Sequence, residues 1–158
     1  MNIIVFPGQG SQKIGMGKEL SDNFAEAKQV FEEVNDALNF NLTRVMWEGT
    51  DKEIALTSNA QPALMACSIA ALRVLNKITN KNLSELASYV CGHSLGEYSA
   101  MTAAEVFSLN QCATLLRLRG DAMQKAVPIG KGAMAALIGT NIDTVIKVID
   151  KVKCYGVC

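Results

Sequence analysis

The stretch Val90-Cys91-Gly92-His93-Ser94-Leu95-Gly96-Glu97-Tyr98 limits what this chain can fold into more than any other. Its Gly-x-Ser-x-Gly centre is unspecific by itself in a chain with twelve glycines, so its surroundings decide its meaning. Residues 86–91 read as a strand, and a helical pattern over about 97–106 follows with Glu97 near its start. Strand, sharp turn and helix is the setting in which a serine is lifted above the end of a sheet. The turn needs glycine two residues before and two after, so that strand and helix can approach, and it holds the serine backbone in a sparsely populated region. Ser94 is therefore the candidate nucleophile. The amide of Leu95 and the positive end of the helix dipole would face an oxyanion forming on an acyl group. The competing reading is a glycine-rich turn around a buried serine.

Residues 3–6 form a short apolar run bounded by Pro7-Gly8, as expected of a buried parallel strand. The loop Gly8-Gln9-Gly10 follows. Loops at the carboxyl ends of neighbouring parallel strands converge, so this one is the candidate second oxyanion donor. A phosphate-binding loop fails on spacing, because the third glycine position is Lys13. A merely structural turn is the other reading. Phe24, Ala27, Phe31, Val34 and Leu38 recur at helical spacing. Thr57-Ser58-Asn59 reads as an N-cap cluster for a helix over 61–78, with Pro62 in its first turn and apolar residues nearly all round. Ser108 caps a helix over 110–126 that carries Arg117 and Arg119. Pro128, Gly130 and Gly132 make a linker, residues 133–138 a small strand, and 143–153 a last helix. Alternating strands and helices predict an α/β fold with a mostly parallel sheet.

Nearly half of the 158 residues are apolar, which predicts a globular chain with a real core. Fifteen basic side chains balance fifteen acidic ones, so the charge gives no footprint for nucleic acid or an anionic membrane. No apolar run reaches the roughly 18–20 residues that span a bilayer. Five scattered cysteines and one histidine, with no CxxC, predict reduced thiols in a cytoplasmic setting and no zinc or other metal site.

Three motifs stand in order: Phe6-Pro7-Gly8-Gln9-Gly10-Ser11-Gln12, Ala60-Gln61-Pro62-Ala63-Leu64 and Gly92-His93-Ser94-Leu95-Gly96-Glu97-Tyr98. A fourth is Arg119-Gly120 with Met123-Gln124 after it. Together they resemble the malonyl-CoA:acyl-carrier-protein transacylases of bacterial-type fatty acid synthesis, along essentially the whole chain. The resemblance implies an α/β-hydrolase-like parallel-sheet core, here incomplete, over residues 1–126. Residues 127–158 would begin a ferredoxin-like subdomain with its first strand and helix. It implies that Ser94 is the nucleophile and that the amides of Gln9 and Leu95 form the oxyanion hole. Arg119 would pair with the free carboxylate of malonate, a task that suits a planar, bidentate guanidinium. Two positions along a helix turn a side chain by about 200°, so Arg117 is expected on a solvated face instead. Gln61 fits two readings, lining the site or packing on its helix neighbours. His93 is expected to support the pocket without acting as the base, since neighbours at a strand end point to opposite sides. Malonyl-CoA and acyl carrier protein are the implied partners, and no cofactor is implied.

The chain departs from the family in one respect. Family members are about twice as long and place a catalytic histidine, with a glutamine contacting it, downstream of the subdomain. No histidine follows Ser94 here. A serine hydroxyl is a weak nucleophile until a base takes its proton. The expectation is an N-terminal half of such an enzyme, with acyl-binding geometry but little turnover alone: a fragment, a truncated gene product, or one piece of a split protein whose C-terminal half another chain supplies. The rival expectations are a remnant that only binds partners and another serine acyltransferase or esterase.

Overall fold

The structure, a computed structural model, describes residues 1–127, 131 and 137–152. In chain order the elements are β1 (Ile3–Phe6), α1 (Lys18–Asn23), α2 (Ala25–Leu38), α3 (Leu42–Glu48), α4 (Asp51–Ala55) and α5 (Thr57–Thr79). They continue with α6 (Leu83–Leu86), β2 (Tyr89–Gly92), α7 (Leu95–Ala103), α8 (Leu109–Ala126) and α9 (Ile142–Val152). The chain divides into two units, Met1–Val127 and Pro128–Cys158. In the second, Asn141 caps α9 by accepting a hydrogen bond from the Thr144 amide at 2.9 Å. Residues 133–136 of the expected strand lie outside the described residues, and Leu137 and Ile138 are not in a strand.

In the first unit the helical periodicity places the core. Ala27, Val30, Phe31 and Val34 repeat at the spacing of one helix face and are all buried on α2. They meet α5, whose buried side runs from Asn59 to Val74, and Cys112, Ala113 and Leu116 of α8. Burying side chains as large as Phe31, Met65 and Leu116 stabilises the fold by about 1.5–3 kcal/mol each.

Three local expectations are corrected. Helix α5 starts at Thr57, not after Asn59, and Leu56 is its cap. Pro62 is accordingly its sixth residue and not in its first turn. Asn59 is buried, with its Nδ2 donating to the Glu53 carbonyl at 2.8 Å. Strand β2 starts at Tyr89, because residues 83–86 form the short helix α6 instead. Asn82 and Glu85 close a capping box there, which satisfies their two amides at the start of the helix. The unit is also more helical than simple alternation suggested: among the described residues the sheet has two strands.

These two strands are parallel, with Ile3 opposite Tyr89 and Phe6 opposite Gly92. Their alternation turns Phe6 inward, 4% exposed, and leaves Ile3, Val5, Tyr89 and Cys91 outward. Ile3, Val5 and Tyr89 are 51%, 67% and 60% exposed. Parallel sheets are normally covered on both faces, so this apolar face favours association. Light scattering of the isolated chain is expected to show a mass that rises with concentration. Val5→Lys with Tyr89→Lys should return it towards monomer, and a monomer at every concentration for the unsubstituted chain would contradict the expectation.

Candidate active site

The elbow forms because its backbone leaves no room for side chains. A Cβ on Gly92 would overlap the Gly96 carbonyl, and one on Gly96 would overlap the Phe6 carbonyl oxygen and lie 2.8 Å from that of Pro7. With both positions bare, β1, β2 and the start of α7 touch. Ser94 sits at φ 55°, ψ −113°, a region that L-residues rarely occupy. The turn is held by bonds from the Gly96 amide to the His93 carbonyl at 2.9 Å and from the Glu97 amide to the Ser94 carbonyl at 3.1 Å. Ser94 is thus the N-cap of α7, and Leu95, fully buried, is its first residue. Amides in a first helical turn have no intrahelical acceptor and carry the positive end of the dipole.

The loop after β1 lies beside the elbow, as the parallel register requires. A Cβ on Gly8 would come within 2.7 Å of His93 Nδ1, so this loop and the His93 ring are in contact. His93 itself is exposed. The loop is braced from inside, with the Gly10 amide donating to Gln12 Oε1 at 2.8 Å. Gln9 Nε2 donates to Thr57 Oγ1 at 3.3 Å, which ties the loop to the start of α5.

Arg119 completes the cluster from α8. Its Nη2 donates to Ser94 Oγ at 3.0 Å and its Nη1 to Gln61 Oε1 at 2.7 Å. The guanidinium carbon lies 5.7 Å from the centre of the Tyr98 ring. No carboxylate pairs with Arg119 among the described residues. Its charge is therefore free for an acidic ligand beside the serine. Gln61, which the sequence left between two readings, is fully buried and its Oε1 accepts from Arg119 of α8. Ser94, Gln61 and Arg119 are brought together, while Gln9, on the β1 loop, and His93, against it, are exposed.

Arg117 differs from its expected solvated face. It is partly buried, with Nη1 donating to Asn59 Oδ1 at 2.8 Å and the guanidinium 4.7 Å from the Phe40 ring centre. Burial pushes it below the usual arginine value, and nearby Asp121 opposes that shift. Both arginines thus reach the start of α5, one over Phe40 and the other over Tyr98. No local signal marks Asn59 and Phe40 as partners, since both lie nearly sixty residues or more from Arg117 along the chain.

Gly120 explains the short reach between these helices. A Cβ there would come within 2.6 Å of Ser58 Cα and 2.7 Å of the Thr57 carbonyl oxygen. Gly120→Ala should push α8 off α5 and cost about 1–3 kcal/mol, read as a lower urea midpoint. An unchanged midpoint would contradict the close approach.

The cluster thus joins a strained serine at a helix N-terminus, a glycine loop beside it, and an arginine bonded to the serine hydroxyl and to no carboxylate among the described residues. The family profile described as "Acyl transferase domain" matches residues 3–158, and the chain belongs to that family. Within it, the chain is similar to malonyl CoA-acyl carrier protein transacylases. It is 45% identical over 152 residues to the one from Bacillus subtilis, covering 96% of this chain and 46% of that protein. The structure of the acyl-carrier-protein-S-malonyltransferase from Bartonella henselae superposes with a TM-score of 0.90 at 50% identity, over 100% of this chain and 50% of that one. A malonyl-transacylase solved in complex with a type II PKS acyl-carrier protein matches with a TM-score of 0.84 at 40% identity, over 95% of this chain and 47% of that one. The chain thus spans about half the length of the relatives it matches. The mixed α/β arrangement, a small parallel sheet among many helices, agrees with their fold.

Proposed function

We propose that this chain carries the acyl-binding half of a malonyl-CoA:acyl-carrier-protein transacylase, with Ser94 as the nucleophile of a malonyl-serine intermediate. The observation that carries the reading is the single guanidinium that bonds both Ser94 Oγ and the buried Gln61. In a malonyl thioester one methylene separates the carboxylate from the reacting carbonyl. A carboxylate gripped by Arg119 therefore delivers that carbonyl to the serine beside it. Binding energy from the non-reacting end is spent on orientation at the reacting end.

The chemistry is acyl transfer in two halves. Ser94 Oγ attacks the thioester carbonyl, its proton passes to a base, and the oxyanion is held by the amides of Leu95 and Gln9. Collapse breaks the carbon–sulfur bond and releases CoA as the thiol. The phosphopantetheine thiol of acyl carrier protein then attacks the malonyl ester, and Ser94 recovers its proton as the second tetrahedral adduct collapses. The base is a histidine outside these 158 residues, supplied by further polypeptide. In support, the only histidine here, His93, is exposed and lies against Gly8, and among the described residues the hydrogen bond to Ser94 Oγ comes from Arg119.

The same reading makes residues 1–126 the first part of an α/β-hydrolase-like core and residues 127–158 the start of a ferredoxin-like subdomain. Among the described residues no helix is long and apolar enough to cross a membrane. Free thiols at Cys67, Cys91 and Cys112 fit a cytoplasmic setting. Burial pushes the Cys67 and Cys112 thiols up, so neither competes with Ser94 as a thiolate.

Malonyl-CoA incubation followed by peptide mass spectrometry tests the proposal. The peptide containing Ser94 should gain a malonyl group, and adding acyl carrier protein with its phosphopantetheine arm should remove it. A folded chain that is labelled at another residue, and remains so after Ser94→Ala, would overturn the reading.

A further inference from the structure

A buried side-chain amide has two different ends, and only one orientation satisfies both when its neighbours are of opposite kinds. Gln61 is fully buried on α5. On one side stands Arg119, which can only donate; on the other stands the Met123 thioether, which can only accept. The distances match that division: Gln61 Oε1 accepts from Arg119 Nη1 at 2.7 Å, and Gln61 Nε2 donates to Met123 Sδ at 3.3 Å. Turning the amide over would set its NH2 against the guanidinium and its oxygen against the sulfur. Both neighbours come from α8, one turn apart, and the close approach at Gly120 lies between them.

We propose that Met123 is a positioning residue: its thioether fixes the orientation of the Gln61 amide, and through it the seat of Arg119 against Ser94. Gln61 passes this on because the same amide that donates to sulfur presents its oxygen to Nη1, which leaves Nη2 on the serine. A leucine at 123 fills similar space but accepts nothing, so the Nε2 end of the amide loses its partner and Arg119 alone holds the orientation. The consequence for acyl selection rests on the function proposed above; the orientation of the amide does not.

Two readouts on the folded 158-residue chain separate these. The first is solvent exchange of the Gln61 side-chain NH2 protons by NMR. Met123→Leu should speed it by about three- to tenfold, the scale of one lost hydrogen bond, while selenomethionine, which keeps an acceptor there, should leave it unchanged. The second is the ratio of affinities for malonyl-CoA and acetyl-CoA. Met123→Leu should lower that ratio by a similar factor through malonyl-CoA alone, with acetyl-CoA binding unchanged. Exchange that is equally slow in the leucine variant would overturn the proposal. No preference for malonyl-CoA in the unsubstituted chain would instead overturn the functional reading, with the exchange result still deciding the role of Met123.

Discussion

Gly96→Ala is expected to remove a large part of the stability of the first unit. The added methyl group would overlap the Phe6 carbonyl oxygen, which belongs to the backbone of β1 and cannot turn aside. Relief requires α7 to move off the sheet, and with it Ser94, whose φ of 55° is already strained. The cost should be about 3 kcal/mol or more, the upper end for overpacking, against a total of about 5–15 kcal/mol for a domain. Gly92→Ala should behave alike, since its methyl group would overlap the Gly96 carbonyl. Gly8→Ala is the informative contrast. It would crowd the ring of exposed His93, which can rotate away, and lie 3.1 Å from the His93 carbonyl oxygen, which need give by only a few tenths of an ångström, so the loss should be smaller, about 1 kcal/mol. Urea unfolding of the three variants checks the ranking. Equal midpoints for Gly8→Ala and Gly96→Ala would contradict the account of the elbow.

On the proposed function, Arg119→Ala should produce the largest functional change short of replacing Ser94. It deletes the charge that would hold an acyl carboxylate, and it leaves Gln61 Oε1 buried without its donor. A hydrogen bond to a charged group contributes about 1.5–3 kcal/mol, so the preference for malonyl-CoA over acetyl-CoA should fall on the order of 10- to 100-fold. Arg119→Lys should recover only part of this. A lysine presents one ammonium and cannot hold Gln61 and Ser94 with two separate nitrogens in a fixed fork. Competition binding with the two thioesters measures both variants. An Arg119→Ala chain with undiminished preference would place the carboxylate elsewhere.

The parts of the site legible in the sequence are those that the backbone dictates. Glycines at 92 and 96 are required wherever strand and helix meet this closely, so the elbow could be read from local chemistry alone. The core face of α2 was likewise visible as a spacing of three and four. Arg119 was legible only through resemblance, because nothing local separates it from Arg117. The two were distinguished in space by Tyr98 and Ser94 on one side and Phe40 and Asn59 on the other. Met123 gave no signal beyond its place in a motif, since its contact with Gln61 spans 62 positions. Helix α6 is not legible in the sequence, and its last residue Leu86 reads as the start of a strand, because a four-residue helix has too few positions to show a period.

The central claim, that Ser94 takes a malonyl group with Arg119 holding its carboxylate, is tested most directly by the rate of acyl-serine formation. The 158-residue chain would be mixed with malonyl-CoA or acetyl-CoA, with and without imidazole as a substitute base, and the mass of the Ser94 peptide followed over time. The account predicts slow labelling without imidazole, acceleration with it, a preference for malonyl that Arg119→Ala removes, and none of these in Ser94→Ala. Acetyl and malonyl groups arriving at Ser94 at equal rates would contradict it.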